Sequence, residues 1–525
     1  MNQSDIHLLD LPNEILLIIM KKLDNIDVLY SLFGINNKRI DILVEDDVFT
    51  SSLNFTRISS ITDVKFDRFC NSILPRINQS IKKLILETTS MEHILLVGNY
   101  SNLTSLELFN FGQIVYRHFT DNSAFRHFFK YQITELVLHN NDEYSTKTSL
   151  DTYTRDVYAH IMVLFQHLKH LTVVASSINE YPPLSLLRLP PTTYFSSILT
   201  VLNINVLEFS DCLFLLDGRL KQLTTFIVQV GYIFYYPWIP HNVDVLQNLK
   251  CFSLTSYHVT CHYERSVFPL LRRITNLERL TLYLCVRNDY SFVNDTHLND
   301  EILLYMPQLH TFIFYISTET VVCDLIHLKS NDDMQKPFIN TKYGQMAYIT
   351  ESFYMFDNMC HIYSLPFAFT HLRRICNKFP NIVFDNVTHL VAYDITPMKH
   401  EFFMRISQDF PILKCLSIQN RMYQSSNRDK FICDNYAAYS IIEYPHLISL
   451  DFMCAHMDYV LQFLLETQTH LPHLTELNVK YRHLTAVTMK FTRDGTRRNC
   501  SKVKRLIFEK PARFLEDIYQ YFSSL

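Results

Sequence analysis

The chain has 525 residues, 48% of them hydrophobic and 19% charged, with a formal net charge of −4 at pH 7. That is the composition of a globular protein, long enough for two to four average domains or for one long repeat array. A charge so near zero predicts no general attraction to nucleic acid or acidic membrane, and no apolar run approaches the roughly eighteen residues that a membrane span needs.

The first predicted element is a helix whose start is well marked. Asp10 precedes it, Pro12 suits a first helical position and Glu14 sits in the first turn. Ile15 to Met20 then run without a polar residue, and six residues at about 3.6 per turn cover the whole circumference. Such a helix needs burial on every side, yet a segment of about fifty residues is too small to supply it alone. One face is therefore expected on the module's own neighbours and the other on a partner. A second helix is predicted from about Asp27 to Ile35, with Val28, Leu29, Leu32 and Phe33 inward. A third starts near Asn37, with Ile40, Leu43 and Val44 inward.

The string Leu11-Pro12-x-Glu14-Ile15-Leu16-x-Ile18-Ile19-x-x-x-Leu23-x-x-x-Asp27-Val28-Leu29, with Lys38-Arg39 beyond it, resembles the F-box. It departs from many F-boxes in placing Ile40, not a large aromatic, after the basic pair. The resemblance covers roughly residues 5–50. It implies docking on a Skp-family adaptor, and through it on a cullin-RING ubiquitin ligase, with Leu11, Pro12, Ile15, Leu16, Ile19, Leu23, Val28 and Leu29 at or just behind the adaptor surface.

Residues 51–80 read as a linker and cap. From 81 to the end one phrase recurs, Leu-polar-x-Leu-x-apolar, as in Ile81-Lys-Lys-Leu84-Ile-Leu86 and Leu103-Thr-Ser-Leu106-Glu-Leu108. Copies begin at 81, 103, 133, 168, 199, 223, 249, 277, 309, 387, 413, 447, 474 and 503. Across these fourteen copies the first slot is Leu in ten, the second is polar in thirteen and the fourth is Leu or Phe in all. The phrase resembles the leucine-rich repeat, in which slots one, four and six face inward on a short strand and neighbouring strands stack. Between copies lie stretches with helical spacing, such as 160–168 and 458–465, and several copies follow a Pro that ends the helix, among them Pro307, Pro411, Pro445 and Pro472. The expected fold class is therefore α/β: a three-helix F-box followed by an irregular solenoid, a curved parallel sheet backed by helices. The phrase fails between 317 and 386, where a degenerate repeat near 346–365 and an exposed loop near 327–343 are expected.

Residues alternating with the inward slots are expected on the concave face, where a partner would bind. They include Glu107, Phe109, Glu135, His139, Asn203, Asn205, Arg279, Tyr283, Tyr315, His389, Tyr393, Gln419, Asp451, Glu476, Lys480, Arg505 and Glu509. Of these, Tyr283, Tyr315, Tyr393, Asp451 and Lys480 are the candidate target-binding residues, together with Trp238, the one tryptophan, in an aromatic loop with Tyr232 and Tyr235. Residues 480–513 hold eleven Lys/Arg against two acids, a run that either is a solvated face near a solenoid end or holds an acidic or phosphorylated protein segment or RNA.

Catalytic patterns are missing from this reading. The seven glycines, at 34, 98, 112, 218, 231, 344 and 495, are too far apart to write a dinucleotide fingerprint, a P-loop or a nucleophile elbow. Twelve cysteines stand singly, without a Cys-x-x-Cys pair, and the acidic N-terminus does not read as a signal peptide, so reduced thiols in cytosol or nucleus are expected. No catalytic residue, metal or cofactor is expected. The implied function is a non-catalytic substrate receptor of a Skp/cullin/F-box ubiquitin ligase that recruits an unidentified protein target. The alternative is a protein-binding scaffold outside any ligase, with nucleic acid or membrane not expected as partners.

Overall fold

The computed structural model describes residues 8–56, 63–111, 130–140, 149–175, 182–237, 246–288, 292–320, 338–340, 344–353, 357–424, 440–509 and 516–525. The chain divides into two compact units, Met1–Thr281 with Asn299–Leu309, and Leu282–Leu298 with His310–Leu525.

The first unit opens with four helices, α1 (Asn13–Met20), α2 (Asn25–Leu32), α3 (Lys38–Val44) and α4 (Asp47–Thr50). Strands follow as β1 (Ser52–Asn54), β2 (Lys83–Glu87), β3 (Ser105–Phe111), β4 (Glu135–Asn140), β5 (His170–Ala175), β6 (Val201–Glu208), β7 (Thr225–Tyr232) and β8 (Cys251–Thr260). Each pairs in parallel with the next. Parallel neighbours need a crossover, and helices supply several: Thr88–Val97 packs on β2 and β3, and Phe209–Leu215 on β6 and β7. β9 (Arg279–Arg287) begins in this unit and ends in the second.

The second unit holds β10 (Thr311–Thr320), β11 (Phe338–Asn340), β12 (Gly344–Phe353) and β13 (Asp357–Leu365). β13 is antiparallel to both β10 and β12, and β11 is antiparallel to β12. A parallel sheet then runs through β14 (His371–Ile375), β15 (His389–Tyr393), β16 (Cys415–Gln419), β18 (Ser449–Asp451), β20 (Glu476–Asn478) and β21 (Arg505–Ile507). β17 (Ile442–Glu443) and β19 (Thr469–His470) form a small parallel pair beside the helices His400–Asp409 and Met457–Leu464. The architecture is mixed α/β, mostly parallel and backed by helices.

Each of the fourteen phrases places its strand two residues after slot one, from Ile81 before β2 to Val503 before β21. Slot-four residues are Cα partners across strands, Leu84 with Leu106, Leu106 with Leu136, and so on to Phe226 with Phe252. The same column recurs from Leu372 through Leu390, Leu416, Leu450 and Leu477 to Leu506. All are buried. Each fully buried aliphatic side chain contributes roughly 1.5–3 kcal/mol, so the column is a main source of cohesion along the stack.

Slot two works through its backbone. The Lys82 carbonyl accepts the N–H groups of Thr104 and Ser105, both at 3.0 Å, and the Thr104 carbonyl accepts those of Thr134 and Glu135 at 2.9 and 3.1 Å. This two-into-one pattern repeats along both units, for example from Lys414 and Cys415 to Thr388. At Thr134, Thr200, Thr224 and Thr388 the slot-two hydroxyl adds a third bond to the same carbonyl, as Thr224 does to Thr200 at 3.0 Å. The residue before slot one adds another tie: Asn102 donates to the Gln79 carbonyl at 2.6 Å and Asn248 to that of Lys221 at 2.8 Å.

Between 317 and 386 the structure corrects the sequence reading. Residues 344–353 and 357–365 pair antiparallel as β12 and β13 and not as a degenerate repeat, whose strand would run parallel to its neighbours. Of the expected loop 327–343, residues 338–340 are β11, and the remainder lies outside the described residues. β14 is a repeat strand that the phrase misses: a bulge between Leu372 and Ile375 makes Ile375, not Arg374, the inward residue.

Candidate functional site

The N-terminal module carries its apolar residues on two sides. Asn37 caps α3 by accepting from Arg39 and Ile40 N–H at 3.1 and 3.3 Å, and Asp46 caps α4 by accepting from Val48 N–H at 2.9 Å. Arg39 donates to Asn13 Oδ1 at 2.6 Å and to the Leu11 carbonyl, which ties the start of α1 to α3. The Asn25 amide donates to the Ser52 carbonyl at 2.9 Å, and α2 packs against β1. These bonds fix the orientation of a core made by Leu16, Met20, Ile26, Val28, Leu29, Phe33, Ile40 and Val44, all buried.

On the opposite side of α1, Ile15, Ile18 and Ile19 are 42%, 58% and 38% exposed, and Leu23 just beyond the helix is 53% exposed. Positions 15, 18 and 19 are spaced i, i+3, i+4, so they form one stripe along the helix. Pro12 is exposed at its head and Leu11 is half-buried. Of the eight residues expected at the adaptor surface, Pro12, Ile15, Ile19 and Leu23 lie on this face. Leu16, Val28 and Leu29 are enclosed by the module and support the face without forming it. Ile18 belongs to the stripe but was missing from the expected set, although its i+3 spacing from Ile15 was readable.

The outward strand positions bring several expected residues together. In the first unit Glu107 accepts from Lys83 Nζ at 2.9 Å and lies 2.9 Å from His139 Nε2. Phe109 stacks on the His139 ring, centroids 3.8 Å apart. Burial raises the Glu107 pKa, but its bonds to Lys83 and His139 outweigh that and leave it lowered. The aromatic loop stacks Tyr232 on Phe234 and on His258, at 5.6 and 4.7 Å, with Tyr232 and Phe234 both exposed. Trp238 lies outside the described residues.

In the second unit two of the expected target-binding residues are not on the surface. Tyr283 and Tyr315 are buried, because Phe369 packs against the first at 5.3 Å and Phe367 against the second at 5.7 Å. Tyr315 Oη donates to the Arg373 carbonyl at 3.0 Å and meets His361 Nδ1 at 2.9 Å. Tyr393 is half-buried with the Arg374 guanidinium over its ring, and Lys480 is half-buried. Asp451 is half-buried and accepts from the Ser417 hydroxyl at 3.1 Å and the Met453 N–H at 2.9 Å.

Within the basic stretch 480–513, of which residues 480–509 are described, four cations are buried or already engaged. Arg493 is buried, Arg497 pairs with Asp494 at 3.0 Å, Arg505 lies 3.4 Å from Glu476 and Lys502 donates to the Pro472 carbonyl at 2.8 Å.

No family model matches the chain, and no curated protein does. Among solved structures, the crystal structure of a Rad7 and Elc1 complex in yeast is similar at 13% identity, covering 79% of this chain and 91% of that one. The TM-score is 0.32, too low to establish a shared fold.

Proposed function

We propose that this chain is the substrate-receptor subunit of a Skp/cullin/F-box-type ubiquitin ligase, with residues 5–50 docking on the adaptor and the repeats holding a protein target. The reading is carried by one observation: a helix seated on its own module through Leu16 and Met20 leaves Ile15, Ile18 and Ile19 in water as a continuous apolar stripe. Leaving such a stripe exposed is costly, and a contiguous apolar surface of this kind is what a protein partner covers. The chain itself would break and form no bonds. It would raise the effective concentration of target lysines near the conjugating enzyme by tethering.

The test is capture of a purified Skp-family adaptor by the full chain and by the Ile15→Asp/Ile19→Asp double variant. Capture by the wild type, and its loss in the variant at an unchanged thermal midpoint, is the expected result. Equal capture by both proteins, or by neither, would sink the reading.

A further inference from the structure

Thr488 ends the helix Tyr481–Val487, and the three residues after it wind the other way. Met489, Lys490 and Phe491 have φ of 50°, 57° and 65°, and the Thr488 carbonyl accepts the N–H groups of Thr492 and Arg493, both at 2.9 Å. The result is a turn of left-handed helix built without glycine. L-residues visit that region singly, because the Cβ crowds the following carbonyl at every position. Elsewhere among the described residues a positive φ falls on single residues.

The turn delivers Phe491 to the C-terminal segment. Its buried ring meets Tyr521, on the helix Glu516–Tyr521, edge to face with centroids 5.8 Å apart. Tyr521 is buried as well: it donates its hydroxyl to the Arg493 carbonyl at 2.6 Å, bonds the Thr496 hydroxyl and carries the Arg497 guanidinium over its ring at 5.0 Å. Ile518 and Phe522 of the same segment are buried, and Ser523 and Ser524 both donate to the Ser501 carbonyl, at 3.2 and 2.8 Å. A strained conformation persists only where its surroundings over-determine it. Here the surroundings are the Thr488 hydroxyl, which accepts from Phe491 N–H at 3.1 Å, and the C-terminal segment.

We propose that the turn 488–491 and the segment 516–525 are two halves of one latch: the docked segment holds the turn left-handed, and undocking lets the turn relax to the right-handed form. Relief of strain at three residues favours release, and burial of Phe491, Ile518, Tyr521 and Phe522 opposes it. The closed state is therefore held by the difference between two opposing terms. Phe491, Tyr521 and Phe522 touch in series, with centroids 5.8 and 5.5 Å apart, so they part together and the opening is a single local event. The C-terminal end of the second unit thereby has two states, strained and closed or relaxed and open. The latch does not depend on the receptor reading.

The test is native-state hydrogen exchange of the full chain. The amides of Thr492 and Arg493 report on the turn, that of Phe522, bonded to the Ile518 carbonyl at 2.8 Å, on the segment, and those of Thr475 and Glu476 on the neighbouring sheet. In Tyr521→Ala, exchange at Phe522, Thr492 and Arg493 should rise together, about tenfold or more, with Thr475 and Glu476 unchanged. In Lys490→Gly, which relieves strain at one exposed position of the closed state, the same three amides should slow by about fivefold. A Tyr521→Ala effect confined to Phe522 would overturn the latch, and so would a Lys490→Gly effect that is absent or confined to the turn. Acceleration that spreads to Thr475 and Glu476 would overturn it too, by showing that the end of the sheet melts as a whole. Should Tyr521→Ala fail to fold, Lys490→Gly decides alone.

Discussion

The hydroxyl of Tyr315 and the imidazole of His361 meet at 2.9 Å inside the second unit, where both residues are fully buried. Because that hydroxyl donates to the Arg373 carbonyl, His361 must offer Nδ1–H to it, and the ring is held neutral. Burial, reinforced by Arg373 and Arg374, lowers the His361 pKa from 6.5 to about 3. Between those values the unfolded chain binds a proton that the folded chain refuses, so folding stability falls as pH falls through that window, by up to about 1.4 kcal/mol per pH unit. His371 and His483, each lowered to about 4, act with the same sign. Urea midpoints measured from pH 7.5 down to 5 should decline, and less steeply in His361→Gln. A slope unchanged by that substitution would refute the assignment.

Slots two and four of one strand make opposite predictions. Leu450 is fully buried in the slot-four column, and Leu450→Ala should cost about 2–5 kcal/mol. Ile448 stands at slot two, 40% exposed, where most copies carry a polar residue. Ile448→Thr puts a hydroxyl within reach of the Lys414 carbonyl, as Thr388 does for Thr370, and should be neutral or stabilising by about 0.5 kcal/mol. Denaturant unfolding of the two variants checks both signs.

Gly231 closes the gap between β7 and β6. A Cβ there would sit 2.7 Å from the Leu207 carbonyl oxygen, so Gly231→Ala must push the strands apart, at a cost of about 1–3 kcal/mol. At Gly218 a Cβ meets nothing, but φ is +105°, so Gly218→Ala should cost only about 1 kcal/mol of backbone strain. Only the first should also disturb the exposed stack of Tyr232 and Phe234, which tyrosine fluorescence would report.

Thr488 organises the left-handed turn after the helix Tyr481–Val487. Its hydroxyl donates to the Leu484 carbonyl at 2.8 Å and accepts from the Phe491 N–H at 3.1 Å, while Met489, Lys490 and Phe491 have φ of 50°, 57° and 65°. Thr488→Val removes both bonds from a fully buried site and should cost about 1–3 kcal/mol. Lys490→Gly, at an exposed position in the same turn, relieves positive φ and should stabilise by up to about 1 kcal/mol. Thermal midpoints moving in opposite directions are the expected outcome.

What the sequence made legible follows from what burial demands. The leucine phrase found fourteen strands because slots one, four and six have to be apolar wherever a strand stacks on its neighbours. It passed over β14 because one extra residue shifts the inward position from Arg374 to Ile375. The apolar stripe of α1 was visible as a run, yet which residues turn inward depends on how the module packs, and spacing does not tell Val28 from Ile19 in that respect. Tyr283 and Tyr315 sat at the right alternation for an open face; Phe367 and Phe369, more than fifty residues away from Tyr315, cover them, and local pattern cannot foresee that. The Asn that precedes slot one at 102, 248 and 276 was in plain view; its use, bridging to the preceding turn, became apparent from the geometry.

The double acceptance at successive slot-two carbonyls within each unit has a consequence for how this chain can change over generations. Vertical spacing is written in main-chain amides, which every residue but proline owns, so the main side-chain demand of one rung on the next is an apolar residue at the inward slots. A whole unit of about thirty residues can be gained, lost or exchanged with only its two flanking contacts to renegotiate. The outward face of the strands is thereby left open to rapid rewriting, while the scaffold beneath it stays recognisable.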